Sequence, residues 1–183
     1  MNQDIYIVEP SKLRLLQVTE KHLTERYISW LNNKEIVKYS ELRHTTHTYD
    51  SCFQYWKSFQ GKPHLFWAIE LYHDDKWVHI GNINSFIDEK NKIADIGILI
   101  GENISWGNGY GTTIWKFVCN YLFSHRHIRK ITAGTMSTNI RMLKIMRKAG
   151  MVEDGKRLKH YICDGREVDI CHFALFKNDE SMV

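Results

Sequence analysis

A mixed α/β (α+β) domain, with a mostly antiparallel sheet flanked by helices, is the fold class this sequence predicts. Three observations carry that expectation. Apolar residues alternate with period two in the middle and at the end of the chain, and recur with helical spacing on either side of those stretches. Turn signals of only a few residues separate the strand-like segments. With 183 residues, 43 % of them apolar and 25 % charged, the chain suits one domain over 1–183 with an ordered core of about 10–177.

Leu13 to Val18 alternates as a first strand, and Thr19 is placed to cap a helix carrying Leu23, Tyr27, Trp30 and Leu31 on one stripe. The polar loop Arg43 to Thr48 leads into a second helix, whose aromatic side is Tyr49, Phe53, Trp56 and Phe59 and which Gly61 and Pro63 end. Leu65 to Leu71 and Trp77 to Ile87 are strand-like around the hairpin signal Asp74-Asp75. Lys92 to Ile100 follows the turn Asp88 to Asn91, so these three strands form an antiparallel meander. After Gly111 the period returns to helical, with Ile114, Trp115, Phe117, Val118, Tyr121 and Leu122 on a broad buried face. Lys130 to Thr135 is a short strand, and Asn139 to Ala149 a helix stopped by Gly150. Leu158 to Cys163 and Glu167 to Phe176 close the chain as a hairpin around Asp164-Gly165. Disorder is expected only in Met1 to Ile5 and Asn178 to Val183.

Charge and cysteines narrow the function classes. A net charge of +4, spread along the chain, falls short of a nucleic-acid binder and helps to attract an anionic ligand. The four cysteines Cys52, Cys119, Cys163 and Cys171 form no C-x-x-C pair, and no apolar leader opens the chain, so the expectation is reduced thiols in a cytoplasmic protein. Apolar runs such as Ile96 to Ile100 are too short to span a bilayer, so no membrane partner is expected. Among the ten histidines, His44-x-x-His47 and His125-x-His127 are the close pairs, and neither has metal-ligand spacing; no metal is expected.

The informative segment is Ile104-Ser105-Trp106-Gly107-Asn108-Gly109-Tyr110-Gly111-Thr112, set between an apolar strand and an amphipathic helix. Glycine permits positive φ and close approach of a ligand to the main chain, and the following helix presents unpaired N–H groups at its positive end. A flexible strand-to-helix turn would read the same way. No Gly-Lys-Ser/Thr follows, so this is not a Walker loop, and G-x-G-x-G lacks the spacing of a dinucleotide fingerprint.

Gly107-Asn108-Gly109-Tyr110-Gly111-Thr112 resembles the acetyl-coenzyme A loop of the GCN5-related N-acetyltransferases (GNAT), written Q/R-x-x-G-x-G/A. Trp106, Gly109 and Gly111 fall on its named positions. Trp106 stands in place of Gln or Arg, a feature familiar in the branch resembling ribosomal-protein alanine N-acetyltransferases, and Asn108 stands where that branch carries Lys or Arg. Ala94-Asp95-Ile96-Gly97, Asn139 with Lys148-Ala149-Gly150-Met151, and Lys159-His160-Tyr161 with Asp164-Gly165-Arg166 and Asp169 resemble further family segments, so the likeness covers Leu13 to Lys177.

That resemblance implies acetyl-coenzyme A as co-substrate and a primary amine as acceptor: a protein N-terminus, an amino sugar nucleotide or another small amine. It implies that backbone groups of Ile98, Leu99 and Ile100 hold the pantetheine arm. Gly107 to Thr112 would take the pyrophosphate, with Trp106 and Asn139 as further coenzyme contacts. Its usual proton donor is missing: Met146 stands beside the expected sulfur position, and Met142 replaces a serine. Asp95 is the candidate general base, because Ile93, Asp95, Gly97 and Leu99 share one side of a strand and Gly97 leaves room beside the carboxylate. A structural Asp would satisfy the same pattern. Arg43 and His44 border the expected acceptor side. The missing donor leaves a second reading open, a non-catalytic acyl-coenzyme A-binding or regulatory module. The oligomeric expectation is monomer or homodimer.

Overall fold

The computed structural model describes residues 5–8, 12–102 and 107–177. Its elements in chain order are β1 (Ile5–Val8), β2 (Leu13–Gln17), α1 (Glu25–Leu31), α2 (Tyr49–Lys57), β3 (Leu65–His73), β4 (Lys76–Asp88), β5 (Ile93–Ile100), α3 (Tyr110–His125), β6 (Lys130–Met136), α4 (Ile140–Lys148), β7 (Val152–Cys163) and β8 (Arg166–Phe176). The eight strands form one sheet in the order β1-β2-β3-β4-β5-β6-β8-β7. Every neighbouring pair is antiparallel except β5 with β6. This is the mixed, mostly antiparallel GNAT-like fold that the sequence predicts.

Three element expectations are corrected. Ile5–Val8 is a strand rather than a frayed end; it pairs with β2, but four residues with Ile5 and Ile7 exposed give too short an alternation to read. Thr19 opens a 3-10 turn over Glu20–His22, and the first α-helix starts later, at Thr24, whose side chain accepts from the Tyr27 N–H. Strand β7 begins at Val152, six residues ahead of Leu158, because an edge strand open on both faces shows no apolar alternation to mark it.

Two cores follow from the period-two alternation of the strands. On one face Ile83, Ile96, Ile131 and Phe173 meet Trp115, Leu122 and Met146 of α3 and α4. On the other face Phe66 and Ala68 meet Tyr27, Trp30 and Phe59 from the α1–α2 region. Trp30 also fixes the end of β5. A Cβ on Gly101 would lie 2.0 Å from its ring, and its indole N–H donates to Glu102 Oε1 at 3.0 Å, beside the Arg26 ion pair at 2.7 Å. The chain can leave β5 there only as glycine. None of the helices, over the described residues, is long and apolar enough to cross a membrane.

Candidate active site

The parallel pairing of β5 with β6 lasts for only three residues, Ile93, Ala94 and Asp95 against Lys130, Ile131 and Thr132. Beyond Asp95 both strands continue, β5 to Ile100 and β6 to Met136, with no register between them. The sheet therefore opens into a wedge. Ile98, Leu99 and Ile100 lie along its β5 wall, still paired with β4 on their other edge.

Helix α3 starts at the mouth of this wedge. Gly109 is its N-cap at φ +80°, and the first intrahelical bonds run from the Thr112 and Thr113 N–H groups to the Gly109 carbonyl at 3.0 and 3.1 Å. The N–H groups of Gly109, Tyr110 and Gly111 precede that ladder, at the positive end of a 16-residue helix. Gly107, at φ +83°, and Gly109 occupy the left-handed region with open space where a Cβ would stand. Gly111 has a different reason. A Cβ there would lie 3.0 Å from Ile145 Cδ1 and 3.4 Å from Ile100 Cδ1, so its glycine lets the helix seat between α4 and β5. Trp106 lies outside the described residues.

At the closed end of the wedge stands Asp95, on the face that α1 and α2 cover. Its Oδ2 accepts from Thr132 Oγ1 at 2.7 Å. The residue is exposed on that face, and partial desolvation by the strands beside it pushes its carboxyl above the ordinary range, against the opposing effects of the Thr132 hydroxyl and His172. Phe86 is the residue paired with Asp95 on β4, and Asn84 the one paired with Gly97. A Cβ on Gly97 would lie 2.8 Å from Asn84 Oδ1, so the glycine keeps this side of the notch open. Asn84 Nδ2 donates to Tyr55 Oη at 3.0 Å. The Tyr55 and Phe86 rings, 40 % and 42 % exposed, form an aromatic shelf beside the carboxylate.

The far wall is the β7–β8 hairpin, held to the α1–α2 connection. Lys38 pairs with Asp164 at 2.7 Å, and Tyr39 packs with Met136, Cys163 and Val168. Arg43 completes this tie: its guanidinium donates to the Ile162 carbonyl at 3.2 Å and the Ser40 carbonyl at 2.7 Å, and pairs with Glu41 at 2.8 Å. Arg43, a candidate on the acceptor side, thus has donors that hold two chain segments together. His44 is exposed and faces Glu41 at 3.8 Å.

Two further coenzyme candidates lie on or against α4. Asn139 caps α4 by accepting from the Met142 N–H at 3.2 Å, and its amide donates to Thr135 Oγ1 at 3.0 Å, so both ends of its side chain have partners inside the protein. Met146 is 0 % exposed within the main core and does not line the wedge, because the apolar face of α4 turns it toward α3 and the sheet. Conversely, Thr132, Asn84 and Tyr55 carry no signal in the sequence that would place them beside Asp95. Each reaches the site through strand register or a distant element, which one strand's alternation does not reveal. Among the described residues, no three His, Cys, Asp or Glu side chains gather to hold a metal ion.

The family of the chain is shown by its sequence. Residues 12–152 match the family model described as the acetyltransferase (GNAT) domain, so the chain belongs to the GNAT N-acetyltransferase family. It is 27 % identical to an uncharacterized protein of Methanocaldococcus jannaschii over 82 % of this chain, and spans only 30 % of that relative's length. A spermidine N-acetyltransferase from Vibrio cholerae, solved with coenzyme A and spermine, superposes with a TM-score of 0.78 at 18 % identity, over 90 % of this chain and 95 % of that one. The ribosomal-protein alpha-N-acetyltransferase RimL, solved with coenzyme A, gives 0.80 at 16 % identity, over 94 % and 98 %. Both likenesses are of fold.

Proposed function

We propose that this chain acts as a single domain that transfers the acetyl group of acetyl-coenzyme A to a primary amine by direct attack in a ternary complex. The observation that carries this reading is the wedge itself, with the first turn of α3 at its mouth and Asp95 at its closed end. In this reading the pyrophosphate lies on the N–H groups from Gly107 to Thr112, where glycines at positive φ keep side chains away. The pantetheine arm lies against Ile98, Leu99 and Ile100. The thioester then reaches the sheet from the α3 side, and the amine reaches it from the α1–α2 side, past Tyr55 and Phe86.

An alkyl ammonium has a pKa near ~10.4 in water, so at neutral pH it must lose a proton before it can attack. Asp95 accepts that proton in this reading. The amine nitrogen bonds to the carbonyl carbon and gives its second proton to water, the carbon–sulfur bond breaks, and the coenzyme leaves as its thiolate. With Met146 enclosed in the core, water is the proton source for the thiolate. The acceptor is a small molecule or a peptide terminus bearing one reactive amine. The two relatives solved with coenzyme A act, by their names, on spermidine and on a ribosomal protein's N-terminus, which fits an amine here.

The test is thiol release from acetyl-coenzyme A in the presence of polyamines, amino sugar nucleotides and peptides with free N-termini. Release that depends on one acceptor class supports the transferase. Tight coenzyme binding with no release across the panel would instead favour the non-catalytic module.

A further inference from the structure

Past Asp95, β5 has register partners on β4 alone, and the last of these pairs is Gly81 with Ile100. This is the half-strand that faces the wedge. A strand end paired along one edge frays first, unless something beyond the ladder holds it. Holds from two directions meet at this end.

The first is built into β4. Its register with β3 shifts between Ile69 and Glu70, which leaves Ile80 without a register partner on β3. The Ile80 carbonyl accepts from the Gly101 N–H at 2.9 Å and the Glu102 N–H at 3.3 Å. Beside it, a Cβ on Gly81 would run into the Leu99 carbonyl and lie 2.9 Å from Ile100 Cα, so the two strands approach more closely here than a side chain allows.

The second hold comes from α1. Trp30 lays its buried ring over Gly101, and its indole N–H donates to Glu102 Oε1 at 3.0 Å. Arg26 Nε donates to the same oxygen at 2.7 Å. The Arg26 bond and then the indole bond hold the Glu102 carboxyl below its ordinary range, against the effect of partial burial, so this latch is charged at neutral pH. The Arg26 and Glu102 side chains are 46 % and 25 % exposed, and an ion pair so open to water adds little to global stability. It sits, however, where fraying would begin. From Glu102 the chain runs on to Gly107 and the loop that opens α3.

On the coenzyme reading above, we infer that Glu102 is a positioning residue for the coenzyme: with Arg26 and Trp30 it pins the end of β5 to α1, so that the backbone of Ile98 to Ile100 is set before the pantetheine arm arrives. A strand end ordered in advance costs the ligand nothing to order. One that is ordered only part of the time lowers the apparent affinity in proportion to the competent fraction. The latch thus acts on binding even though it contributes little to folding.

The experiment is titration calorimetry with coenzyme A on wild type, Glu102→Ala, Glu102→Gln, Arg26→Ala and the Arg26→Ala/Glu102→Ala double variant, beside melting temperatures and amide hydrogen exchange. Glu102→Ala and Arg26→Ala are each expected to bind coenzyme A about 3- to 10-fold more weakly, the net worth of one hydrogen bond. Their melting temperatures should stay within about 2 °C of wild type. Glu102→Gln keeps an oxygen for both donors and should lose less. The double variant should be about as weak as Glu102→Ala alone, because Arg26 acts through that carboxylate. In Glu102→Ala the Gly101 and Glu102-position amides should exchange faster than in wild type, and slow again once coenzyme A is bound. Full coenzyme affinity in both single variants overturns the inference, whatever their melting temperatures, and leaves the coenzyme reading standing. So do losses that multiply in the double variant, or unchanged exchange at Gly101. A wild type that binds no coenzyme A overturns the coenzyme reading, and the inference with it.

Discussion

Gly109→Ala isolates what backbone geometry contributes to the coenzyme loop. Gly109 is the N-cap of α3 at φ +80°, and no atom lies within 4 Å of where its Cβ would stand. Crowding by the protein therefore plays no part in the free enzyme, and the whole effect comes from the conformation. A non-glycine residue in the left-handed region costs roughly 1–2 kcal/mol. The variant has two options. It can hold the native loop at that cost, or relax Gly109 out of the left-handed region and turn the leading N–H groups of α3 away from the wedge. If it holds the native loop, the cost falls on folding stability and affinity is unchanged; if it relaxes, binding must restore the native geometry, and coenzyme A affinity should fall by about 5- to 30-fold. Titration calorimetry with coenzyme A, alongside thermal unfolding to show that the variant is folded, measures this directly. Unchanged affinity together with an unchanged melting temperature, which would mean that the loop had relaxed without consequence for binding, would refute the claim that this loop holds the pyrophosphate.

The other expectations concern groups with distinct roles. Asp95→Asn should lower kcat/KM by ~10²–10⁴-fold without loss of thermal stability. Crowding raises the folded carboxyl pKa, so its stabilising contribution is present below the unfolded value and lost as pH rises through the folded one. At neutral pH the charge opposes folding, and a melting temperature well below wild type would mark Asp95 as structural. Met146→Tyr, which places a larger, polar-tipped ring in a fully buried site, should destabilise by about 1–3 kcal/mol; a melting temperature equal to wild type would show that the helix leaves room there. His79 has the opposite sign to Asp95. Burial lowers it from 6.5 to about 4, and its Nε2 lies 2.9 Å from Asn82 Oδ1. Stability should therefore be complete above about pH 6.5 and fall by about 3 kcal/mol as pH drops toward 4. Urea unfolding across that window should show a shallower slope for His79→Gln, and parallel curves would refute it. His22 is also lowered by burial and adds to the wild-type slope.

Sequence periodicity reveals what one segment does alone. The alternation of Ile93, Asp95, Gly97 and Leu99 places Asp95 and Gly97 together on one face, and Ala94 and Ile96 are indeed buried on the other. The glycines that open α3 were legible for the same local reason. The partners of Asp95 were not. Thr132 meets it through a three-residue parallel register, and Tyr55 reaches the notch from a helix 29 residues away from Asn84. Met146 shows the converse. The family pattern says nothing of its packing, whereas the amphipathic face of α4, with Leu143 and Met146 both buried, points into the core. The bond from Arg43 to the Ile162 carbonyl was not legible, because a cation in a polar loop shows no partner until the hairpin opposite it is known.

The brief seam between β5 and β6 has a mechanical consequence. It divides the sheet into two leaves: the meander from β1 to β5, and the three strands β6, β8 and β7. Three pairs of residues stitch the leaves edge to edge; the packing of α3 against α4 and β5, and the ties from Lys38 to Asp164 and from Arg43 to the Ile162 carbonyl, add to that seam. Force or heat that parts the leaves therefore meets its least backbone resistance along the line where a coenzyme would lie. A ligand laid in that line fastens both leaves as a clasp closes a hinge. A clasp filled to a hundred times its Kd adds about 2.7 kcal/mol to the folded state. The gap that admits the substrate is then also the place where the substrate does most to hold the enzyme together.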